Sequence, residues 1–196
     1  NETADPSITL YDADGQELAS NDDYDGLNSR IDVSAPLAAG DYCVTIAALS
    51  DESAPIDLLI DIYDPEAALA ALYARGEAAP PLDGSVPVTD LGPLASRMRQ
   101  DVQLTDDASW FTVDVPEAGL LLIEAIAPAG KGDPWLVLFD DFGRQLAQND
   151  DNGENLDAMI TAKVQSGVYM VGVKDVGNGS TGQVRLLMER FVPAAP

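Results

Sequence analysis

The feature that most constrains this chain is a repeat within it. "DPSITLYDADGQELASNDD" at residues 5–23 and "DPWLVLFDDFGRQLAQNDD" at 133–151 share 10 of 19 positions without a gap. The match continues, with one inserted residue, through Leu27/Leu156 and Ile31/Ile160, and then through "AGDYCVTI" at 39–46 against "SGVYMVGV" at 166–173. A repeat of this length means two copies of one supersecondary unit, so any fold proposed for one copy must serve the other.

The copies are unequal. The second runs from about Val86 to Phe191, whereas the first has only 4 residues ahead of Asp5 and so lacks about 43 residues of counterpart, the opening strands of the unit. An unpaired sheet edge is expected there. An upstream segment of the polypeptide, a strand from another protein chain or a rearranged neighbouring element would have to cover it.

Both copies read as β structure. "SITLYD", "DYCVTIAAL" and "IDLLIDIYD" in the first, and "SWFTVDV", "GLLLIEAIA", "PWLVLFD", "GVYMVGVKDV" and "QVRLLMERF" in the second, are short apolar runs set between Gly, Pro, Asn and Asp. Such spacing favours antiparallel sandwiches. "DPEAALAALYARGEAAPP" is the exception: Asp64 suits an N-cap, Pro65 the first helical position and Gly76 a stop. The organisation expected is all-β: a first sandwich unit over 1–63, a helical and proline-rich linker over 64–85, and a second, complete unit over 86–196. Leu69, Leu72 and Tyr73 fall on one helical stripe, expected to pack on a sheet. Trp110 and Trp135 read as core anchors, and Cys43 as a small buried thiol in a strand.

Charge narrows the function. With 34 acidic residues against 10 basic, the 196-residue chain carries a formal charge of −24, which repels nucleic acid and anionic headgroups and favours cations or basic partners. No apolar run approaches the roughly 20 residues of a membrane span, so no membrane insertion is expected. The polar opening "NETADP" reads as a chain whose export leader has been removed. There is no histidine and a single cysteine, which excludes Ser-His, Cys-His and common zinc arrangements. "GNGSTG" at 177–182 lacks the lysine and following helix of a phosphate loop. A carboxylate pair could act as acid and base, but only 6% of the chain is aromatic, against the platforms usual in sugar clefts.

The repeated acid-rich loops remain. "NDDYDGLNSR" and "NDDNGENLDAM" carry more carboxylates than a turn needs, and clustered carboxylates raise one another's pKa unless a cation or donors compensate. Calcium takes 6 to 8 oxygens from Asp, Asn and backbone groups on such loops. Candidate ligands are Asp22, Asp23 and Asn28, with Asp5, Asp12 or Asp25, in the first copy. In the second they are Asp150, Asp151 and Asp157, with Asp133, Asp140 or Glu154. The alternative is that "DADG" is a hairpin turn and "NDD" an Asx-rich loop, capped without metal. The spacing is not that of an EF-hand.

These motifs resemble the bacterial pre-peptidase C-terminal (PPC) domain family. "DPSITLYDADGQELASNDDYDGLNSRI" followed by "AGDYCVTI" is similar to that family's pattern of a "DPYLxLYDxxGxxLAxNDD" segment, a short loop, "NSxI" and "GxYYVxV". "VTDLGPL", "DDASWFTVDVPEAG" and "DPWLVLFDDFGRQLAQNDD" follow in the family's order in the second copy. The resemblance implies a jelly-roll-like β-sandwich appended to secreted bacterial hydrolases and surface proteins, often associated with calcium and not itself catalytic, and the location expected for this chain is secreted, periplasmic or cell-surface. It would bind a partner, an extracellular polymer or a neighbouring subunit; a metal-free spacer or pro-segment is the alternative. The second copy departs from the pattern at Asp157, Ala158 and Met159, where "NSR" stands in the first, and at Val168 in place of Asp41.

Overall fold

A computed structural model of the chain describes residues 3–24, 26–128, 132–153, 156–177 and 182–192. Among the described residues its regular elements are β-strands and one helix, and the chain divides into two compact units, Asn1–Ala68 and Leu69–Pro196.

The second unit is a two-layer sandwich. Its strands are β4 (Val88–Pro93), β5 (Arg97–Gln103), β6 (Ser109–Val115), β7 (Gly119–Ile126), β8 (Pro134–Phe139), β9 (Gln145–Asn149), β10 (Ala158–Val164), β11 (Gly167–Asp175) and β12 (Gln183–Phe191). One sheet has the order β10-β7-β12-β5 and the other β4-β6-β11-β8-β9; only β4 and β6 run parallel. Alternation of apolar and polar residues sends one face of each strand inward. Leu121, Ile123 and Ala125 of β7 thus meet Val113, Val115, Leu136, Leu138 and Val171 of the opposite sheet in one core. A smaller cluster on the outer face of the five-stranded sheet joins Trp110, Val137, Phe139 and Met170.

The first unit is a single sheet of three strands, β1 (Pro6–Tyr11), β2 (Glu17–Asn21) and β3 (Cys43–Ala48), in the order β2-β1-β3. It repeats β9-β8-β11 residue for residue. Ile8 faces Asn21 as Leu136 faces Asn149, Leu10 faces Val44 as Leu138 faces Val171, and both hairpins carry an irregularity after that leucine. No second layer is present among the described residues.

Two expectations fail in this unit. "IDLLIDIYD" forms no strand, and Leu58, Leu59, Ile60 and Ile62 are exposed. Cys43 lies in a strand as expected but is exposed, not buried. Both failures have one cause, the lack of neighbours: Met170, at the place of Cys43, is buried because Trp110 of β6 and Phe139 cover it.

Helix α1 (Pro65–Arg75) begins and ends as its sequence requires. The Asp64 carboxylate accepts the Glu66 and Ala67 N–H groups, and Gly76 at φ +79° closes the helix as Gly76 N donates to Tyr73 O and Glu77 N to Leu72 O. Leu69 stays exposed while Leu72 and Tyr73 are half-buried. What docks the last turn is backbone: Trp110 Nε1 donates to Tyr73 O (3.1 Å) and Ala108 N to Ala74 O (2.7 Å). Gly76 lies against the Trp135 ring, which is itself half-buried and carries Lys174 Nζ 5.4 Å from its centroid.

Candidate functional site

The hairpin β8–β9 sorts the acidic residues to its two ends. Asp140 stands at the turn between these strands, whereas Asp133 precedes β8 and Asp150 and Asp151 follow β9; because Leu136 pairs with Asn149, these last three share the opposite end. A five-residue strand separates the two groups by about 17 Å.

At the turn, the carboxylate is fully engaged. Asp140 Oδ1 accepts the N–H groups of Phe142 (3.0 Å) and Arg144 (2.9 Å), and Oδ2 accepts Nε and Nη2 of Arg144, each at 2.7 Å. The Arg144 guanidinium holds this carboxyl below its ordinary pKa, helped by the two backbone donors. In the first unit Asp12 Oδ1 likewise accepts two backbone N–H groups, those of Asp14 (3.0 Å) and Gln16 (2.8 Å). Both are Asx caps of hairpin turns, and neither is near the "NDD" end of its own hairpin.

The asparagine of each "NDD" also works as a clasp. Asn21 Oδ1 accepts Arg30 N and Asn149 Oδ1 accepts Met159 N, both at 2.8 Å, so each fastens the start of the loop to its far end. In the first unit Asn21 Nδ2 also donates to Asp23 O, Asp22 Oδ1 accepts Asp23 N, and Asn28 O accepts Tyr24 N. Sequence reasoning passed over the two asparagines, although their place at the end of the strand in both copies was visible.

The remaining acids gather at the second unit's "NDD" end. Burial first, and then the charges of Asp151, Asp175 and Asp150, push the Asp133 carboxyl above its ordinary pKa. Asp175 was not foreseen from sequence, where it sits inside an apolar strand. It is buried, and its Oδ1 accepts Asp133 N at 2.8 Å. Among the described residues no ion pair reaches Asp133, Asp150 or Asp151. Asp157 Oδ1 accepts Ala127 N (2.8 Å), tying the start of β10 to the loop after β7. In the first unit Asp5, at φ +50°, takes the place of Asp133; its carbonyl accepts Leu49 N as the Asp133 carbonyl accepts Val176 N, and its carboxylate accepts the Ser50 hydroxyl. The place of Asp175 is held by Ala48, so the first cluster carries fewer charges. Asp25 and Glu154 lie outside the described residues.

The donors at the "NDD" end are carboxylate oxygens, the type hard cations prefer. Among the described residues, however, no three acidic or cysteine side chains converge closely enough to hold a metal ion. Two depressions of the second unit hold about 290 and 280 Å³; the first lies at the turn end of the hairpin, and the second is lined by Asp101, Ile126, Ala127, Pro128, Val184 and Arg185 among others. The first is lined by Pro80, Pro81, Thr112, Asp140 and Tyr169 among others, and its one buried carboxylate is the Asp140 already bound by Arg144. No described helix is long and apolar enough to cross a membrane.

No family model matches the chain, and no curated protein matches it. Among solved structures it is similar to the pre-peptidase C-terminal domain of a collagenase from Bacillus anthracis, at 21% identity over 53% of this chain and 95% of that one, with a TM-score of 0.42. It is also similar to PliG of Aeromonas hydrophila, a periplasmic inhibitor of g-type lysozyme (13% identity, 53% and 98% of the two chains, TM-score 0.35). A third is a carbohydrate-binding module of the Cellvibrio mixtus lichenase 5A (14% identity, 50% and 89%, TM-score 0.30).

Proposed function

We propose that this chain is a non-catalytic β-sandwich binding module of a secreted, periplasmic or cell-surface bacterial protein, built from two PPC-like copies. Its second copy accumulates calcium at the end formed by Asp133, Asp150, Asp151 and Asp175. The observation that carries the calcium reading is the Asp133 carboxyl: burial and three like charges raise it, and no described ion pair offsets them. A divalent cation is the simplest compensation for such a field. The binding role rests on the closed sandwich, whose open surfaces are sheet faces, loops and edges suited to a partner protein or an extracellular polymer.

A metal-free spacer is the second reading, and the hydrogen bonds favour it in part. Asp12, Asp140, Asn21 and Asn149 are all satisfied as turn caps and clasps. Thermal unfolding in millimolar calcium against a chelator separates the two. Calcium at about 100 times its Kd stabilises the native state by about 2.7 kcal/mol. The module reading expects a rise in Tm that is lost in Asp133→Asn and Asp151→Asn and kept in Asp12→Asn. No rise with calcium, with magnesium equally inert, leaves the spacer.

A further inference from the structure

Asn152 and Asn178 are the asparagines of the chain that precede a glycine, and Asn178 lies outside the described residues. Asn152 and Gly153 follow the second "NDD", after the last residue of β9 and before the first of β10. Gly153 is exposed there at φ +75°, and nothing stands within 4 Å of where a Cβ would be. Among the described residues no backbone acceptor takes its N–H. The nitrogen is open to approach from the side chain before it, and glycine alone leaves it this bare, having no Cβ.

The Asn152 carboxamide is loosely held. Its Nδ2 donates to Met159 Sδ at 3.7 Å, and a thioether is a weak acceptor. The asparagines that open the two "NDD" runs differ on both counts. Asn21 Oδ1 and Asn149 Oδ1 each take a backbone N–H at 2.8 Å, and the residue after each is an aspartate, whose Cβ stands beside its own nitrogen.

We propose that Asn152–Gly153 is a self-modification site, at which the chain converts its own asparagine to aspartate and isoaspartate with water as the sole co-reactant. Gly153 N attacks Asn152 Cγ: the N–Cγ bond forms, the Cγ–Nδ2 bond breaks, and ammonia leaves with the proton that the glycine nitrogen gives up. The succinimide then adds water. Opening at the Cγ–N bond leaves aspartate, and opening between that nitrogen and the Asn152 carbonyl carbon leaves isoaspartate, its main chain running through Cβ and Cγ. Nothing is oxidised or reduced. Either product carries a carboxylate in place of an amide, directly after Asp150 and Asp151 at the end that also holds Asp133 and Asp175. Among the described residues no ion pair reaches Asp133, Asp150 or Asp151, so the new charge joins a field of its own sign. The negative charge of this end rises with the age of the molecule.

Peptide mapping by mass spectrometry tests this on the 196-residue chain aged at neutral pH, with a chelator present throughout so that the outcome is independent of any metal. In the native protein aspartate and isoaspartate should appear at Asn152 at least about 10-fold faster than at Asn21 or Asn149. The native rate should also lie within about 10-fold of that in the same chain unfolded in urea, because Gly153 N is reached without local opening. Gly153→Asn, which tolerates positive φ but adds a Cβ, should slow the conversion about 10-fold or more. Asn152 left intact in the native chain while it converts in urea overturns the proposal. Conversion confined to Asn178, or a rate unchanged in folded Gly153→Asn, overturns it as well.

Discussion

Leu58 of "IDLLIDIYD" and Leu186 of "QVRLLMERF" are the same amino acid in the last apolar run of their units, 46% exposed in the first and 1% exposed in the second. Truncating each to alanine measures what a facing layer is worth. For Leu186→Ala, three methylene-sized groups leave the core at about 0.8 kcal/mol each, about 2.4 kcal/mol of transfer free energy. The cavity left beside Leu121, Ile123 and Val184 raises the expected loss to about 3–4 kcal/mol. Leu58→Ala removes the same atoms from a side chain that already faces water, and should change stability by no more than about 0.5 kcal/mol. Both tryptophans, Trp110 and Trp135, belong to the second unit, so their fluorescence in urea follows that unit alone, while far-ultraviolet circular dichroism follows both. The Leu186→Ala midpoint should fall by more than about 1 M urea, and the Leu58→Ala curves should overlay the parent by both probes. Equal losses from the two variants would refute the reasoning, because 56–63 would then already be packed.

Further tests bear on the site and its supports. Asp133→Asn should raise stability at neutral pH and low salt by a few tenths of a kcal/mol without divalent cations, since the fold disfavours the charged form of this carboxyl and solvent screens the effect. The sign follows from its raised pKa: the destabilisation is absent below the ordinary carboxylate value and grows as pH rises through the folded value. Asp140 acts oppositely, contributing stability above the ordinary value that is lost as pH falls through its lowered one, so Arg144→Gln should make the acid limb of a pH–Tm curve shallower. Gly76→Ala should cost about 2–4 kcal/mol, because a Cβ there meets the Trp135 ring and the residue sits at φ +79°. Cys43 should react fully with an aromatic disulfide reagent without denaturant, and slow reaction in the 196-residue chain would contradict its exposure.

Much of the fold was legible because it rests on local patterns. The apolar runs of β1, β3, β6, β7, β8, β11 and β12's own sequence declared themselves, as did the helix caps Asp64 and Gly76. β2 (ELASN), β5 (RMRQDVQ) and β9 (QLAQN) did not stand out, because they carry few apolar residues and are held by the ladders of their neighbours. The acid clusters were legible only as density. Sequence placed Asp140 beside Asp150 and Asp151 as candidates, but the direction of the hairpin puts it at the other end. It hid Asp175, which reaches Asp133 only because β11 runs antiparallel beside β8.

By itself the sequence determined the repeat, the strand-rich class, the −24 charge and the turn chemistry, since these depend on residues near one another in the chain or on composition alone. Tertiary structure decided which apolar runs became strands. "QVRLLMERF" and "IDLLIDIYD" read alike, yet only the first is β, because a strand needs a partner for its backbone hydrogen bonds and a facing layer for its side chains. Those partners lie 59 to 92 residues away for β12, and among the described residues of the first unit they have no counterpart.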